Sequence, residues 1–382
     1  SDDTGYGNFY YDPPTGFLAL CSGNQPTADA VDPAQTDDNY PQLLFQALTY
    51  TGTGSSGSIT TRFQPDLIWI KNRGTTKRNY NVDSTRGINS TSPYLHSDQD
   101  VGEGTGNSTG VSGVSSTSFS FGGGLDYVNA SSNTYVAWNW RANSGTTSSD
   151  ASGDITSVGQ VDPSGCFSIV TYTGSGTGNQ TVAHHLSQAP TAVIFKRRDG
   201  TKDWMLTAGT SYMNTRYIAL NETDAAQTGL YSSGRTFSAN AGASLMTLEG
   251  ATEQNGSGYS MVAYFFSNCE GYIKIGEYEG NGNADGSFVN TGFRPALVVT
   301  KRISGSTGGY LVHDNARNTY NPANLIVQWN SDGGEFSGAN DKVDMLSNGF
   351  KVRSSNGGIN ASGSDYLYIA MAHNPFKYAT AR

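Results

Sequence analysis

Apolar residues in this chain come in strand-length bursts, separated by Gly, Ser, Asn and Thr. Phe167-Ser168-Ile169-Val170-Thr171-Tyr172 has the period-two pattern of a strand with one buried face. Leu67-Ile68-Trp69-Ile70 and Leu297-Val298-Val299 are unbroken apolar runs, which suit strands covered on both faces. No stretch sustains a 3.6-residue period between caps, so little or no helix is predicted. Short strands between Gly/Asn/Ser turns predict an all-β chain of two-sheet sandwiches of the jelly-roll or concanavalin-like kind.

The pattern also repeats, which changes the picture from one fold to three tandem ones. A strand ending in Tyr-x-Gly occurs at Tyr50-Thr51-Gly52, Tyr172-Thr173-Gly174 and Tyr278-Glu279-Gly280. A proline then precedes an apolar run and a lysine: Pro65 to Lys71, Pro190 to Lys196, Pro295 to Lys301. An aromatic opens the next strand at Tyr80, Trp204 and Tyr310. Each unit closes with an Asn-x-Ser turn (Asn129, Asn255, Asn360) and an apolar strand centred on Ala137, Ala263 or Ala370. The lysine and this alanine are nearly equally spaced in all three. The predicted organisation is three homologous β-sandwich units at 41–143, 164–267 and 268–382. A Ser/Thr/Gly linker at 144–163 separates the first two, and 1–40 reads as the end of an upstream domain plus linker. Units one and three carry Asp-x-x-Arg after the fourth landmark, Asp83 to Arg86 and Asp314 to Arg317. Unit two has Thr207 to Thr210 there. These pairs predict ion-paired turns.

Charge and composition exclude several functions. The chain has 382 residues, a net charge of −9 and only 14% charged residues, with 48 glycines. Basic residues form only short pairs such as Lys77-Arg78 and Arg197-Arg198, so a nucleic-acid partner is not expected. No run reaches the length of a membrane helix, and membrane insertion is not expected. Cys21, Cys166 and Cys269 are far apart without metal-type spacing, and read as buried thiols rather than disulfides or zinc ligands. The start at Ser1 without Met predicts a processed product or a fragment.

Two stretches carry a resemblance. Residues 7–21, containing Asp12-Pro13-Pro14-Thr15-Gly16-Phe17-Leu18-Ala19-Leu20, resemble the closing segment of SPRY-like, concanavalin-type domains in tailed-phage virion proteins. Tyr50 to Gly54, Phe63 to Lys71, Tyr135 to Trp140 and Asn374 to Tyr378 resemble tail-fibre-like proteins of marine and cyanobacterial phages. The resemblance implies a virion protein of the particle surface and offers no catalytic residue to carry over. It also implies homotrimers, the usual state of fibre-like proteins, and contacts with other virion proteins.

Candidate chemistry is sparse. His184-His185 and the other histidines (His96, His313, His373) lack metal-site spacing and read as loop residues in water. Asn281 to Gly286 imitates a Ca²⁺ loop, but the twelfth position is Gly292, so a plain turn is predicted. Acidic residues Asp98, Asp100, Glu103, Glu277 and Glu279 offer carboxylates for a glycosidase without selecting a pair. No cofactor or metal is expected. Tyr94, Tyr127, Tyr231 and Trp329 lie in the variable middle of the units, and are the candidates for stacking on a sugar or a protein partner. The expected function is non-enzymatic: a fibre or spike component recognising a host-surface glycan. A capsid decoration or tail structural protein is the alternative, and a glycan depolymerase the second alternative.

Overall fold

A computed structural model describes residues 41–373 apart from 107, 229–242 and 339, together with 11 and 13–17. Tyr231, Cys21, Asn374 to Tyr378 and most of the 7–21 stretch lie outside the described residues. The fold is all-β, built of antiparallel sheets. Its α-helix, among the described residues, is limited to the single turns Thr252–Asn255 and Gly357–Asn360.

In residues 41–143 the main sheet runs Phe45–Thr51, Thr134–Trp140, Leu67–Asn72, Tyr80–Asp83 in hydrogen-bonded order. The same order recurs as Phe167–Thr173, Ser260–Phe266, Ala192–Arg197, Met205–Ala208. It recurs again as Ile273–Glu279, Asp365–Ala372, Pro295–Arg302, Tyr310–Asp314. These are called the opening, closing, lysine and fourth strands of the first, second and third segments.

One face of each main sheet packs on a small sheet. Ile68 and Ala137 meet Phe119 and Phe121 in the first segment. Val193 and Phe265 meet Met246 in the second, and Val298 and Tyr368 meet Phe350 in the third. The other face of all three main sheets contributes to a single shared cluster, including Trp69, Trp138, Trp204, Tyr264, Val299 and Ile369. Strand alternation explains the unbroken apolar runs: successive side chains point into a local core and then into the shared one.

The Tyr-x-Gly and Asn-x-Ser landmarks meet at the same end of each segment. Tyr50, Tyr172 and Tyr278 donate their hydroxyls to the carbonyls of Val128, Gln254 and Ile359. Asn129, Asn255 and Asn360 are buried and accept from the backbone N–H of Thr53, Ser175 and Asn281. Gly52, Gly174 and Gly280 lie so close to this turn that a Cβ would come within 2.2–2.3 Å of a carbonyl oxygen. The turn thus requires glycine there, and the asparagines are structural pins.

Register corrects some landmarks. Lys71, Lys196 and Lys301 sit opposite Val136, Val262 and Leu367 of the closing strands. The third-segment counterpart of Ala137 and Ala263 is therefore Tyr368, not Ala370. Tyr80 lies opposite the residue before its lysine, whereas Tyr310 lies opposite Lys301 itself. Met205 lies opposite Phe195, the residue before Lys196. Trp204 and Tyr310 thus match Asn79, and a one-residue offset in a strand means the opposite face. Tyr80 belongs to the local core, Trp204 and Tyr310 to the shared one. By the same register Asp83 and Asp314 match Ala208, and Arg86 and Arg317 match Ser211.

Two further expectations are overturned. Residues 144–163 are not a bare linker: Ser148–Asp150 and Ser157–Val161 extend the second sheet beyond its opening strand. A polar edge strand needs ladder partners more than apolar side chains, so its composition resembles a linker's. Cys166 and Cys269 form a disulfide, with Cα atoms 6.1 Å apart. The opening and closing strands of the second segment are antiparallel with Phe167 opposite Phe266, which brings together cysteines 103 residues apart.

Candidate functional site

The three landmark lysines lie where one segment meets the next. Lys196 Nζ donates to the carbonyl of Asp100 in the first segment, 2.7 Å away. Lys301 Nζ donates to Thr223 O in the second at 2.9 Å, and Lys71 Nζ to Ser331 O in the third at 3.0 Å. Each amine also donates to a carbonyl of its own hairpin: Lys77, Lys202 or Gly308. The second segment thus grips the first, the third grips the second, and the first grips the third. The contacts close a ring within one chain.

Burial pushes each of these amines down to about 8, against the pull of nearby aspartates such as Asp98, Asp100 and Asp224. Between pH 8 and the ordinary lysine value near 10.4, only the unfolded chain holds these protons. Unfolding then takes up protons, so raising the pH stabilises the fold in that window. Urea midpoints are expected to rise from pH 8 to 10, and to rise less in Lys196→Met. Above pH 10 the buried tyrosines reverse the trend, since burial raises Tyr80 and Tyr310 above their ordinary value. A midpoint flat or falling between pH 8 and 10 would contradict the burial argument.

Two boundaries are ionic and one is apolar. Two residues beyond the lysines stand Arg73, Arg198 and Ile303. Arg198 forks onto Glu103 at 2.8 and 3.0 Å, and Arg73 onto Glu335 at 2.8 and 2.9 Å. Ile303 meets Ala226 instead, its carbonyl accepting from the Ala226 N–H as Arg73 and Arg198 accept from Glu335 and Glu103. The Asp-x-x-Arg turns join the same networks. Arg86 Nε reaches Asp83 at 2.6 Å and its Nη1 reaches Glu103 at 2.9 Å, while Tyr264 donates its hydroxyl to Asp83 at 2.8 Å. Burial opposes the Arg86 charge, but Asp83, Tyr264 and Glu103 outweigh it and raise its pKa. Arg317 pairs with Asp314 at 2.6 Å and with Glu335 at 3.4 Å, and Trp138 Nε1 donates to Asp314 at 3.1 Å. At the third boundary the turn at Thr210 to Met213 is held by Glu277, which accepts from both Thr210 Oγ1 and the Met213 N–H.

Arg73, Arg198 and Glu335 were not among the sequence candidates, and Glu103 was named only as a carboxylate for a glycosidase. The recurrence of Arg two places after the lysine was a signal for the two arginines. Nothing local marks Glu335.

The aromatic candidates separate. Trp329 is 2% exposed, stacked on Trp69 with ring centroids 4.3 Å apart inside the shared cluster. It packs the ring and is not available at the surface. It stands in the turn after the strand Leu325–Gln328, where Asn79 Nδ2 and Ser97 Oγ of the first segment donate to its carbonyl. Tyr94 and Tyr127 are half-buried and come together. Both stack on buried Tyr80, at 5.1 and 6.5 Å, and both meet the edge of His96, at 5.2 and 5.0 Å. Tyr94 pairs with Gly104, where any Cβ would strike its ring. Neither hydroxyl makes a hydrogen bond among the described residues. In the other segments Tyr80 is replaced by Met205 and Leu311, so its part of this cluster belongs to the first segment alone.

The remaining candidates are absorbed by structure. His96, His184 and His313 are buried rather than solvated, and His185 is half-buried against Ser157. Strand ends carry them inward instead of leaving them in loops. Asp285, in the loop that imitates a Ca²⁺ site, pairs with Lys351 at 2.9 Å. No group of three or more His, Cys, Asp or Glu poised for a metal occurs among the described residues. Glu277 is occupied by the turn it holds, while Glu279 is exposed.

These features define an all-β protein of paired antiparallel sheets around a shared core, with a half-exposed tyrosine cluster on its first segment. Residues 40–375 match a family described as a domain of unknown function (DUF7483), and the chain belongs to that family. No curated protein and no solved structure matches it.

Proposed function

We propose that the chain is a non-enzymatic binding protein of a phage particle surface, a fibre or spike component that recognises a host-surface glycan. In this reading the three segments are homologous sandwich units, arisen by duplication and closed into a rigid ring. Recognition lies where one unit departs from the shared scaffold. The observation that carries the reading is the Tyr94–Tyr127 pair. Two half-exposed rings are fixed from behind by Tyr80 and His96, with hydroxyls left for a ligand. Aromatic faces of this kind supply apolar area with a polar handle. The resemblance to tail-fibre-like proteins supports the setting.

The test is adsorption of purified protein to host cells, and binding to their isolated glycans. Tyr94→Ala and Tyr127→Ala are each expected to weaken binding about tenfold or more, as central aromatic contacts do, measured at a temperature where each variant is still folded, because both rings also pack on Tyr80 and His96. Binding that both variants retain in full would remove the cluster from the reading.

One observation favours a second reading, a capsid decoration contacting only virion subunits. The ring uses its lateral surfaces inside one chain, so a single copy is already complete. A homotrimer of fibre type would be three such rings side by side, and light scattering distinguishes it from a monomer near 40.5 kDa. Locating the protein on the capsid of intact particles, with no adsorption to host cells, would decide for decoration.

A further inference from the structure

We infer that the third segment holds a pocket for a small carboxylic acid with a compact apolar body, and that Lys274 pairs with its carboxylate. The inference goes beyond the glycan reading and does not depend on it.

The pocket, about 390 Å³, lies where the start of the third opening strand faces the turn after the strand Phe288–Asn290. Cys269 and Glu270 line one part of it, Thr291 and Gly292 another, and Lys274 a third. Its wall is mainly apolar, and its volume is at the small end of the roughly 300–1,000 Å³ of ligand cavities.

Register shows why the pocket occurs in this segment. Gln46, Ser168 and Lys274 occupy one position, because their partners Asn139, Phe265 and Ala370 each stand three residues beyond the partner of the landmark lysine. Lys274 leaves its strand on the local-core face: Ala370 belongs to the local cluster, and the flanking Ile273 and Ile275 to the shared one. The facing turns also match, since Thr61, His184 and Thr291 donate their N–H to the equivalent carbonyls of Thr117, Ser244 and Asn348. In the first segment Gln46 Oε1 bridges to this turn, accepting from the Arg62 N–H at 3.0 Å. In the second, Ser168 Oγ donates to the His184 carbonyl. Lys274 makes no such bridge. It is half-buried, with no ion pair and no side-chain hydrogen bond among the described residues. Gly292 stands in the place of Arg62, and a Cβ there would meet nothing within 4 Å, so the turn does not fill the space.

The walls are fixed before any ligand enters. Cys269 is tied to Cys166, and its carbonyl accepts from the N–H of Tyr272 and Ile273 at 3.0 Å. Thr291 and Gly292 both donate their N–H to the Asn348 carbonyl. Binding therefore orders little of the chain. A lysine ammonium is a point charge with three donors, and a carboxylate forms charge-assisted hydrogen bonds with it. The carbon body of an organic acid would cover the apolar wall, which phosphate or sulfate would leave wet. Glu270 is the other charged residue of the lining, but it is exposed, where water weakens its repulsion.

The experiment titrates the full, ¹⁵N-labelled chain with benzoate, with its neutral isostere benzamide and with inorganic phosphate, and follows the amide shifts. Benzoate is expected to bind at least about tenfold tighter than benzamide, as charge-assisted hydrogen bonds imply, and tighter than phosphate. The shifts should centre on residues 268–274 and 290–292. Lys274→Gln, which installs the residue of the first segment, should remove the preference and leave the spectrum elsewhere unchanged. Equal affinity for benzoate and benzamide, a preference that survives Lys274→Gln, or no binding of benzoate overturns the inference. So do shifts that centre on Tyr94 and Tyr127, and phosphate bound as tightly as benzoate overturns the carboxylic acid as ligand.

Discussion

Arg86→Met is expected to destabilise the protein by about 3–5 kcal/mol, the range for breaking a buried pair from one side. The side chains of Arg86 and Asp83 are fully buried, and the arginine also meets Glu103 of the same segment and Tyr264 of the next. Removing it leaves the buried Asp83 carboxylate without its counter-charge and Glu103 short of a partner, while Tyr264 and the backbone N–H of residue 86 still donate to Asp83. Arg317→Met should behave alike, because Asp314 and Glu335 lose the same kind of partner. Ser211→Ala, at the matching place on the third boundary, should cost no more than about 1.5 kcal/mol, the ordinary size of one hydrogen bond. Urea titrations at constant m-value make the comparison. A loss below about 1 kcal/mol in both arginine variants would mean that these pairs are not dry.

Reduction of Cys166–Cys269 is the second large effect. The bond closes a loop of 103 residues that contains nearly all of the second segment. Chain-entropy arguments give about 4.7 kcal/mol for a loop of this length, and removal of native disulfides usually costs about 2–5 kcal/mol. The Cys166→Ser, Cys269→Ser double variant is expected to lose that much, and dithiothreitol should lower the midpoint of the parent protein but not of the variant. An unchanged midpoint on reduction, with free thiols confirmed by titration, would return these cysteines to the buried thiols that composition suggested.

Much of the fold was legible because the strand pattern is local. Period-two alternation and the Gly/Asn turns identify the strands. The Tyr50, Asn129 and Lys71 landmarks recur because each holds the same hydrogen bond in every segment. Register was not legible to the residue. An aromatic at Tyr80 and one at Tyr310 look alike in sequence, yet face opposite cores, since offset by one decides the side of a strand. The cysteine pair was hidden by sequence distance, and it followed only once the opening and closing strands were known to be partners. The ring was hidden for the same reason. Ile303 and Ala226 are unremarkable alone, and acquire meaning only as the apolar substitutes for Arg73 with Glu335 and Arg198 with Glu103. Of the binding candidates, Tyr94 and Tyr127 could be named but not joined, and Trp329 was placed outside because its loop position did not reveal the boundary it fills.

The central claim is that the first and third segments close the ring within one chain. Arg73 and Glu335 are 262 residues apart and meet only if it does. A double-mutant cycle of Arg73→Ala and Glu335→Ala tests this directly. The account predicts a coupling of at least about 1 kcal/mol, within the range for residues in one ion-paired network. Losses that add to within about 0.3–0.5 kcal/mol, the behaviour of distant sites, would contradict it.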